Sequence, residues 1–264
     1  MLAWGIRELP TGMSRSLPSL AKLGYGVIDP RTAITGLPND LVLNAIVANM
    51  PQVILSMLYF SYNALFTAFL LSYEWTSYAK KRKGLRVSRQ PVGAQRTEYF
   101  LQLPYRFGVP LMALSGTLHW LVSQSIFLVA IDFYDVFGNF GAIYGYSAKY
   151  GYSANRQTDF KTCGYSPIAM ITVLILGTFM TAAIVGFGYV PYSGGMPLAG
   201  NCSLAISAAC HLDKRVDEDG PTAAAEKLQW GVVGVGEHGV GHCSFSTKTV
   251  GVPVRGEVYA GTRQ

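Results

Sequence analysis

Three long stretches of this chain contain no Asp, Glu, Lys or Arg, and more polar, charged segments separate them. The stretches are residues 41–73, 107–131 and 162–212. A hydrocarbon layer about 30 Å thick requires about 20 apolar residues of helix, so each stretch is long enough to cross a bilayer. A soluble core of buried helices is the alternative. It is disfavoured because buried helices of soluble proteins rarely extend so far without a charge.

Proline and small polar residues indicate where these helices begin and bend. Asn39 and Asp40 precede the first stretch as candidate N-caps, and Ser166 followed by Pro167 is typical of a helix start. Pro51 lies inside the first stretch and has no amide hydrogen to donate within a helix. We therefore expect a kink at Pro51.

The pattern predicts an all-α membrane protein of about three transmembrane helices with a small irregular Gly-rich C-terminal tail. The predicted helices span about residues 40–73, 107–131 and 167–189. They lie in a membrane domain of residues 38–190, which follows a poorly structured N-terminal segment at 1–37. Residues 191–264 form the predicted tail, in which 198–210 is weakly apolar but too short to cross and is a candidate interfacial segment.

Charge supports a membrane location and predicts an orientation. Charged residues make up 14% of the chain, against roughly a quarter in typical soluble domains. Basic residues are concentrated in the connector 74–106, which contains only Glu74 and Glu98 as acids. The basic members are Lys80, Lys81, Arg82, Lys83, Arg86, Arg89, Arg96 and Arg106. Short connectors rich in Lys and Arg stay cytoplasmic, so we expect this connector and the C-terminal tail on that side of an unspecified cellular membrane.

Several polar residues lie inside the apolar stretches and are the candidate functional positions. They are Asn49, Gln52, Ser56, Asn63, Ser115, His119 and Ser123. Those of the first helix fall on one face at 100° per residue, and a polar face should contact protein or water instead of lipid. One interpretation is adhesion between helices, at about 0.6 kcal/mol per hydrogen bond. The other is a polar pathway in which His119 titrates.

These features predict a non-enzymatic integral membrane protein with a structural or interaction role in a larger membrane assembly. The alternative is a transporter or channel subunit that uses the polar face and His119. The expected partners are the lipid bilayer and other membrane helices or a second copy, with no nucleic acid. Neither carboxylates within the spans nor a nucleophile–base pair occur, so no catalytic residue and no cofactor are predicted.

The tail contains several potential zinc ligands, but their spacing does not support a metal site. They are Cys202, Cys210, His211, His238, His242 and Cys243. No C-x-x-C pair is present, and glycines around the last two histidines disfavour a helix that could present them together. We therefore predict no metal.

Short motifs distributed along the chain suggest a family. They are GLPN at 36–39, VANMPQ at 47–52, YFLQLPYR at 99–106, LHWLVSQS at 118–125, CGYSP at 163–167, MPLAG at 196–200 and GVGHCSFS at 239–246. With these motifs the chain resembles the C-terminal half of a family of uncharacterised fungal multi-pass membrane proteins. The resemblance implies a membrane location and a fragment or short paralogue of longer proteins. It implies no functional residue.

Overall fold

The computed structural model describes most of the chain in two compact units. The described residues are 2–100, 102–132, 159–192, 195–200, 202–210, 223–235, 239–254 and 256–260. One unit comprises Met1–Ser61 and Leu111–Ala183, and the other comprises Tyr62–Pro110 and Ile184–Gln264. The helices are α1 (Leu2–Glu8), α2 (Leu17–Ala21), α3 (Leu41–Thr76), α4 (Tyr105–Ser125), α5 (Pro167–Gly188) and α6 (Ser203–Cys210). The strands are β1 (Lys83–Gly84), β2 (Arg86–Val87), β3 (Arg96–Thr97), β4 (Ile126–Asp132), β5 (Asp159–Tyr165), β6 (Lys227–Val235), β7 (Gly241–Ser246) and β8 (Tyr259–Ala260).

The prediction of an all-α protein with three transmembrane helices is wrong. Among the described residues, two helical segments are long and apolar enough to cross a membrane, Leu41–Ala79 and Pro167–Gly188. The second predicted span instead divides into α4, which ends at Ser125, and strand β4. Burial along β4 varies nearly residue by residue, with Ile126 and Val129 buried and Leu128 exposed. A charge-free run shows that residues avoid water but does not distinguish a strand from the end of a helix.

The predicted irregular tail is also wrong, because it contains regular β-structure. Strands β6 and β7 are antiparallel partners, and β1 and β8 flank them in a sheet of order β1-β6-β7-β8. A bulge between Val232 and Gly234 shifts the register of β6 against β7. Trp230 on β6 and both Cys243 and Phe245 on β7 are buried on the sheet.

Polar side chains fix the starts of the two apolar helices. The Asp40 carboxylate accepts a hydrogen bond from the backbone amide of Leu43 at 2.8 Å, which is the geometry of an N-cap. The Ser166 hydroxyl accepts from the Ala169 amide at 3.4 Å at the start of α5. Both predicted cap positions are therefore used. Pro51 lies within α3, which continues on both sides of it.

The first unit is built around the antiparallel pair β4–β5. Seven residue pairs join these strands, from Ile126 opposite Tyr165 to Asp132 opposite Asp159. Cys163 on β5 is fully buried, and it packs in an apolar cluster with residues of α3, β4 and α5. A second small cluster holds the N-terminal helices; its buried members are Leu9, Leu20 and Leu23.

The second unit has its core where the C-terminal end of α3 meets the four-stranded sheet. Tyr78 stands edge-on to Phe245, with 5.4 Å between ring centroids. The Trp75 ring packs on Phe245 in the same manner at 5.5 Å, and its indole nitrogen donates to the Pro197 carbonyl at 3.0 Å. The end of α3 is therefore anchored by aromatic packing and a side-chain hydrogen bond.

Candidate functional site

The most apolar helices of the protein are also among its most exposed elements. In the most apolar 18-residue window of each membrane-length segment, Leu41–Ala79 and Pro167–Gly188, 11% of the residues are buried. Core helices of soluble proteins bury most of such a window. Large apolar side chains therefore face outwards along α3 and α5, including Met57, Phe60 and Phe179. An apolar surface of this extent indicates a lipid or protein environment.

Two of the sequence-predicted polar residues form a direct contact in the first unit. The side-chain amide of Gln52 on α3 donates to the backbone carbonyl of His119 on α4 at 3.0 Å. The side-chain carbonyl oxygen of Gln52 lies 2.7 Å from Nδ1 of the His119 ring. Because the amide oxygen is an acceptor, Nδ1 carries the proton in this arrangement. Gln52 therefore joins α3 to α4 through both its groups.

The hydrogen bonds of the other predicted positions do not extend the Gln52–His119 contact into a continuous polar pathway. Asn49 donates to the Ala45 carbonyl at 2.8 Å, and Ser56 donates to the Gln52 carbonyl at 3.0 Å, both within α3. Ser123 donates to the Trp120 carbonyl at 2.6 Å within α4. The two remaining positions, Asn63 and Ser115, are half-buried. The polar face thus bonds mainly to its own helix.

A second polar cluster lies at the C-terminal end of α3 in the other unit. Nε of Arg86 donates to both Glu74 carboxylate oxygens, at 2.8 and 3.0 Å. Nη2 of Arg96 donates to the same carboxylate at 2.9 Å. All three side chains are largely buried, with 23–34% of their surface exposed. Charge-assisted bonds of this kind are strong and directional, so one carboxylate orients two guanidinium groups.

Further bonds fix these two arginines to the backbone of the connector. Nη1 of Arg86 donates to the Thr97 carbonyl at 2.8 Å, and its guanidinium lies 3.9 Å from the centre of the Tyr99 ring. Nε of Arg96 donates to the Gly84 carbonyl at 2.9 Å. The basic connector is therefore an ordered structure instead of a solvated loop.

A cavity of about 670 Å³ opens beside this cluster, entirely within the second unit. One wall is the apolar surface of α3 with Leu70 and Leu71, and the other is the charged connector. Its ionisable lining residues, Tyr73 and Tyr99 apart, are Lys83, Arg86, Arg96, Arg106, Glu74 and Glu98. Burial lowers the pKa of Lys83 from its ordinary value, although the nearby Glu74 carboxylate opposes this effect.

Sequence reasoning did not identify this cluster as a site. Glu74 and Arg96 are 22 positions apart, and only the fold brings them together. The available signal was the position of Glu74, an acidic residue that ends a charge-free run and is followed by eight basic residues.

The structure does not assemble a metal site in the part of the chain that it describes. No group of three or more His, Cys, Asp and Glu side chains with suitable spacing occurs among those residues. His211 and His238 lie outside the described residues. Cys243 is buried in the core of the second unit, and burial raises the pKa of its thiol.

The fold and the exposed helices define a protein with two helical segments of membrane-spanning length and composition. Over residues 9–240 the chain matches the model of DUF8419, a domain of unknown function, and it belongs to this family. The predicted membership of an uncharacterised family is therefore confirmed. Comparison with curated proteins and with solved structures finds no match.

Proposed function

We propose that this chain is a multi-pass integral membrane protein with a structural or interaction role. The exposed apolar surfaces of α3 and α5 support the proposal most directly, because only 11% of the residues in their most apolar windows are buried by the protein itself. Burial of such surface from water is favourable by about 25 cal/mol per Å². Lipid and neighbouring membrane helices are the partners that would cover it.

The contact between Gln52 and His119 supports adhesion between helices as the role of the intramembrane polar residues. The amide of Gln52 already bonds to the ring and to the backbone of His119. A proton pathway would need further polar groups aligned with this ring, whereas Asn49, Ser56 and Ser123 bond within their own helices. Adhesion therefore explains the observed bonds more simply than transport does.

Hydrophobic photolabelling tests the lipid-facing surface. A carbene-forming phospholipid analogue in reconstituted vesicles should modify peptides of α3 and α5, whose exposed side chains include Met57 and Phe179. Peptides of β6 and β7 in the same sample are the control, because their large side chains Trp230 and Phe245 are buried in the protein. Equal labelling of the helical and sheet peptides would contradict the proposal.

The orientation we propose places the connector 74–106 in the cytoplasm. The tail around Cys202 lies on the same side in this proposal, because Trp75, which precedes the connector, donates a hydrogen bond to the Pro197 carbonyl of the tail at 3.0 Å. The excess of basic residues in the connector supports this orientation. Cys202 is exposed and gives a direct test in sealed microsomes, whose cytoplasmic face is outward. A membrane-impermeant maleimide should modify Cys202 without permeabilisation, as read from its peptide by mass spectrometry.

The buried thiol of Cys163 is the internal control for that labelling, since it should react only after unfolding. Modification of Cys202 only after the vesicles are opened would contradict the proposed orientation and indicate the opposite one. Asn201 begins the N-glycosylation acceptor sequence Asn-Cys-Ser and lies outside the described residues. A glycan attached there would also contradict the proposed orientation.

A further inference from the structure

We infer that the 670 Å³ cavity at the C-terminal end of α3 binds a phosphate-bearing anion. Its basic wall is formed by the connector and its apolar wall by α3, so it can accept a charged group and an attached hydrocarbon together. The phosphate-binding step does not depend on the proposed membrane function. The assignment of a lipid as the natural source of the phosphate does rest on the proposed membrane function.

The charge of the cavity lining favours an anion. Four basic side chains and two carboxylates line the cavity, which leaves a net charge of +2. Arg86 and Arg96 share the Glu74 carboxylate.

Among the described residues, no carboxylate lies within ion-pair distance of Lys83 or Arg106. Lys83 donates one hydrogen bond to the Ser77 hydroxyl, and the Arg106 guanidinium lies 4.7 Å from the centre of the Phe107 ring. An ammonium has three donors and a guanidinium five, so both groups keep donors for a ligand, and focusing by the apolar wall strengthens their attraction.

The arginines are oriented before any ligand binds. Glu74 and the backbone carbonyls of Gly84 and Thr97 hold the guanidinium groups of Arg86 and Arg96 in fixed positions. Nη1 of Arg96 makes no hydrogen bond to any residue that the structure describes, so its two hydrogens can be donated. A donor that is already held in a fixed position loses little entropy when it binds a phosphate oxygen.

One feature of the lining that does not involve charge is also typical of binding sites. Gln102 has a φ of +59°, a left-handed conformation that costs energy in a residue with a side chain and that recurs at binding sites. Thr67 also lines the cavity, but its hydroxyl oxygen is shielded from solvent and is therefore not a ligand contact.

A phospholipid with a terminal phosphate combines the two chemistries of the cavity. Leu71 lies on the apolar wall and is exposed, so the cavity continues onto the outer surface of α3. A phosphate on the basic wall would place an acyl chain along that surface. Free phosphate would contact the basic wall but has no acyl chain to contact the apolar surface of α3.

The test compares three probes on the purified full chain in detergent micelles. Short-chain phosphatidic acid, the matching phosphatidylcholine and inorganic phosphate are each titrated, and dissociation constants are measured. Phosphatidic acid should bind at least about tenfold more tightly than phosphatidylcholine. Inorganic phosphate that binds as tightly as phosphatidic acid supports the anion site with a soluble source, and weaker phosphate binding supports the lipid.

Matched double variants separate this site from general attraction to the basic connector. Lys83→Gln with Arg106→Gln removes two charges that line the cavity, and Lys81→Gln with Arg89→Gln removes two exposed charges elsewhere in the connector. The first pair should weaken phosphatidic acid binding at least about tenfold, and the second by less than about twofold. Equal losses in the two variants, equal binding of both lipids, or no binding of any probe would overturn the inference.

Failure of the membrane proposal gives a different result. A protein that is released from membranes but still binds inorganic phosphate in a manner sensitive to Lys83 and Arg106 would keep the anion site and lose the lipid assignment.

Discussion

Single polar side chains determine contacts that apolar packing alone leaves open. Asn44 is fully buried on α3, and its amide donates to the Pro38 carbonyl at 2.9 Å and to the Lys161 carbonyl at 3.2 Å. It therefore ties the first turn of α3 to strand β5. Gln52 has the same function further along α3, where it bonds to His119.

The Gln52–His119 contact should stabilise the protein measurably. A double-mutant cycle with Gln52→Leu and His119→Phe should give a coupling energy of about 0.6–1.7 kcal/mol, the range for hydrogen bonds between membrane helices. Reversible unfolding in micelles measures it. Asn49→Leu paired with His119→Phe is the control, because Asn49 bonds only to Ala45 in the described structure, and its coupling should be near zero. Equal coupling in both cycles would refute this role.

The pair Asp29 and Arg31 should make stability depend on pH in the acid range. Hydrogen bonds from the Arg31 side chain lower the pKa of Asp29 below its ordinary value of 3.8. The resulting stabilisation is present above pH 3.8 and is lost as the pH falls through the lower pKa of the folded state. Arg31→Gln should raise the pKa of Asp29, as read by NMR titration of its carboxyl carbon.

The exposed Arg15 supplies the control for that titration, because its side chain bonds to the Arg7 carbonyl and not to Asp29. Arg15→Gln should leave the pKa of Asp29 unchanged. The same pKa in the Arg31 variant as in the wild type would show that the ion pair is absent in solution.

At the scale of elements, local sequence signals define α3 and α5 but not the strand that follows α4. Asp40 and Ser166 are recognisable caps because a short polar side chain precedes an apolar run. The transition at Ser125 has no such marker, since the sequence through Ile126 and Phe127 stays apolar. Strand β4 depends on its partner β5, whose position more than 30 residues later cannot be read from local pattern.

The sequence predicted the polar residues of the helices but not the cavity of the connector, again because only the helices carry a local pattern. The Gln52–His119 contact joins two residues that helical periodicity places on polar faces, so each was identified singly. The cavity lined by Arg86 and Arg96 depends on the turns of the connector, where two-residue strands carry no periodic signal. Charge counting located the basic segment but not the carboxylate that organises it.

Strand β1 should tolerate no side chain at Gly84. A Cβ atom there would lie 1.8 Å from the Ala94 carbonyl oxygen, so the backbone would have to move. Gly84→Ala should lower the free energy of unfolding by about 3 kcal/mol or more. Chemical denaturation in micelles measures the change.

Gly116 on α4 is the matched control, because no atom lies within 4 Å of a Cβ built there. Gly116→Ala should change the free energy of unfolding by less than about 1 kcal/mol, with stabilisation expected from the higher helix propensity of alanine. A Gly84 variant as stable as the Gly116 variant would show that the connector does not pack as described.

At the scale of the whole molecule, the chain combines a low charge content with apolar helices that it does not cover. Half of its residues are hydrophobic and 14% are charged, yet α3 and α5 present large apolar side chains on the outside. Buried polar contacts and small sheets organise the two units without enclosing these helices. A surrounding apolar medium therefore accounts for the composition and the exposure together.

Alkaline extraction of membranes tests this account most directly. Carbonate strips peripheral proteins from opened membranes but leaves proteins whose helices are embedded in the hydrocarbon layer. We predict that the full chain stays in the membrane pellet after carbonate treatment and enters solution only with detergent. Recovery of the protein in the carbonate supernatant would contradict the central claim that α3 and α5 are covered by lipid.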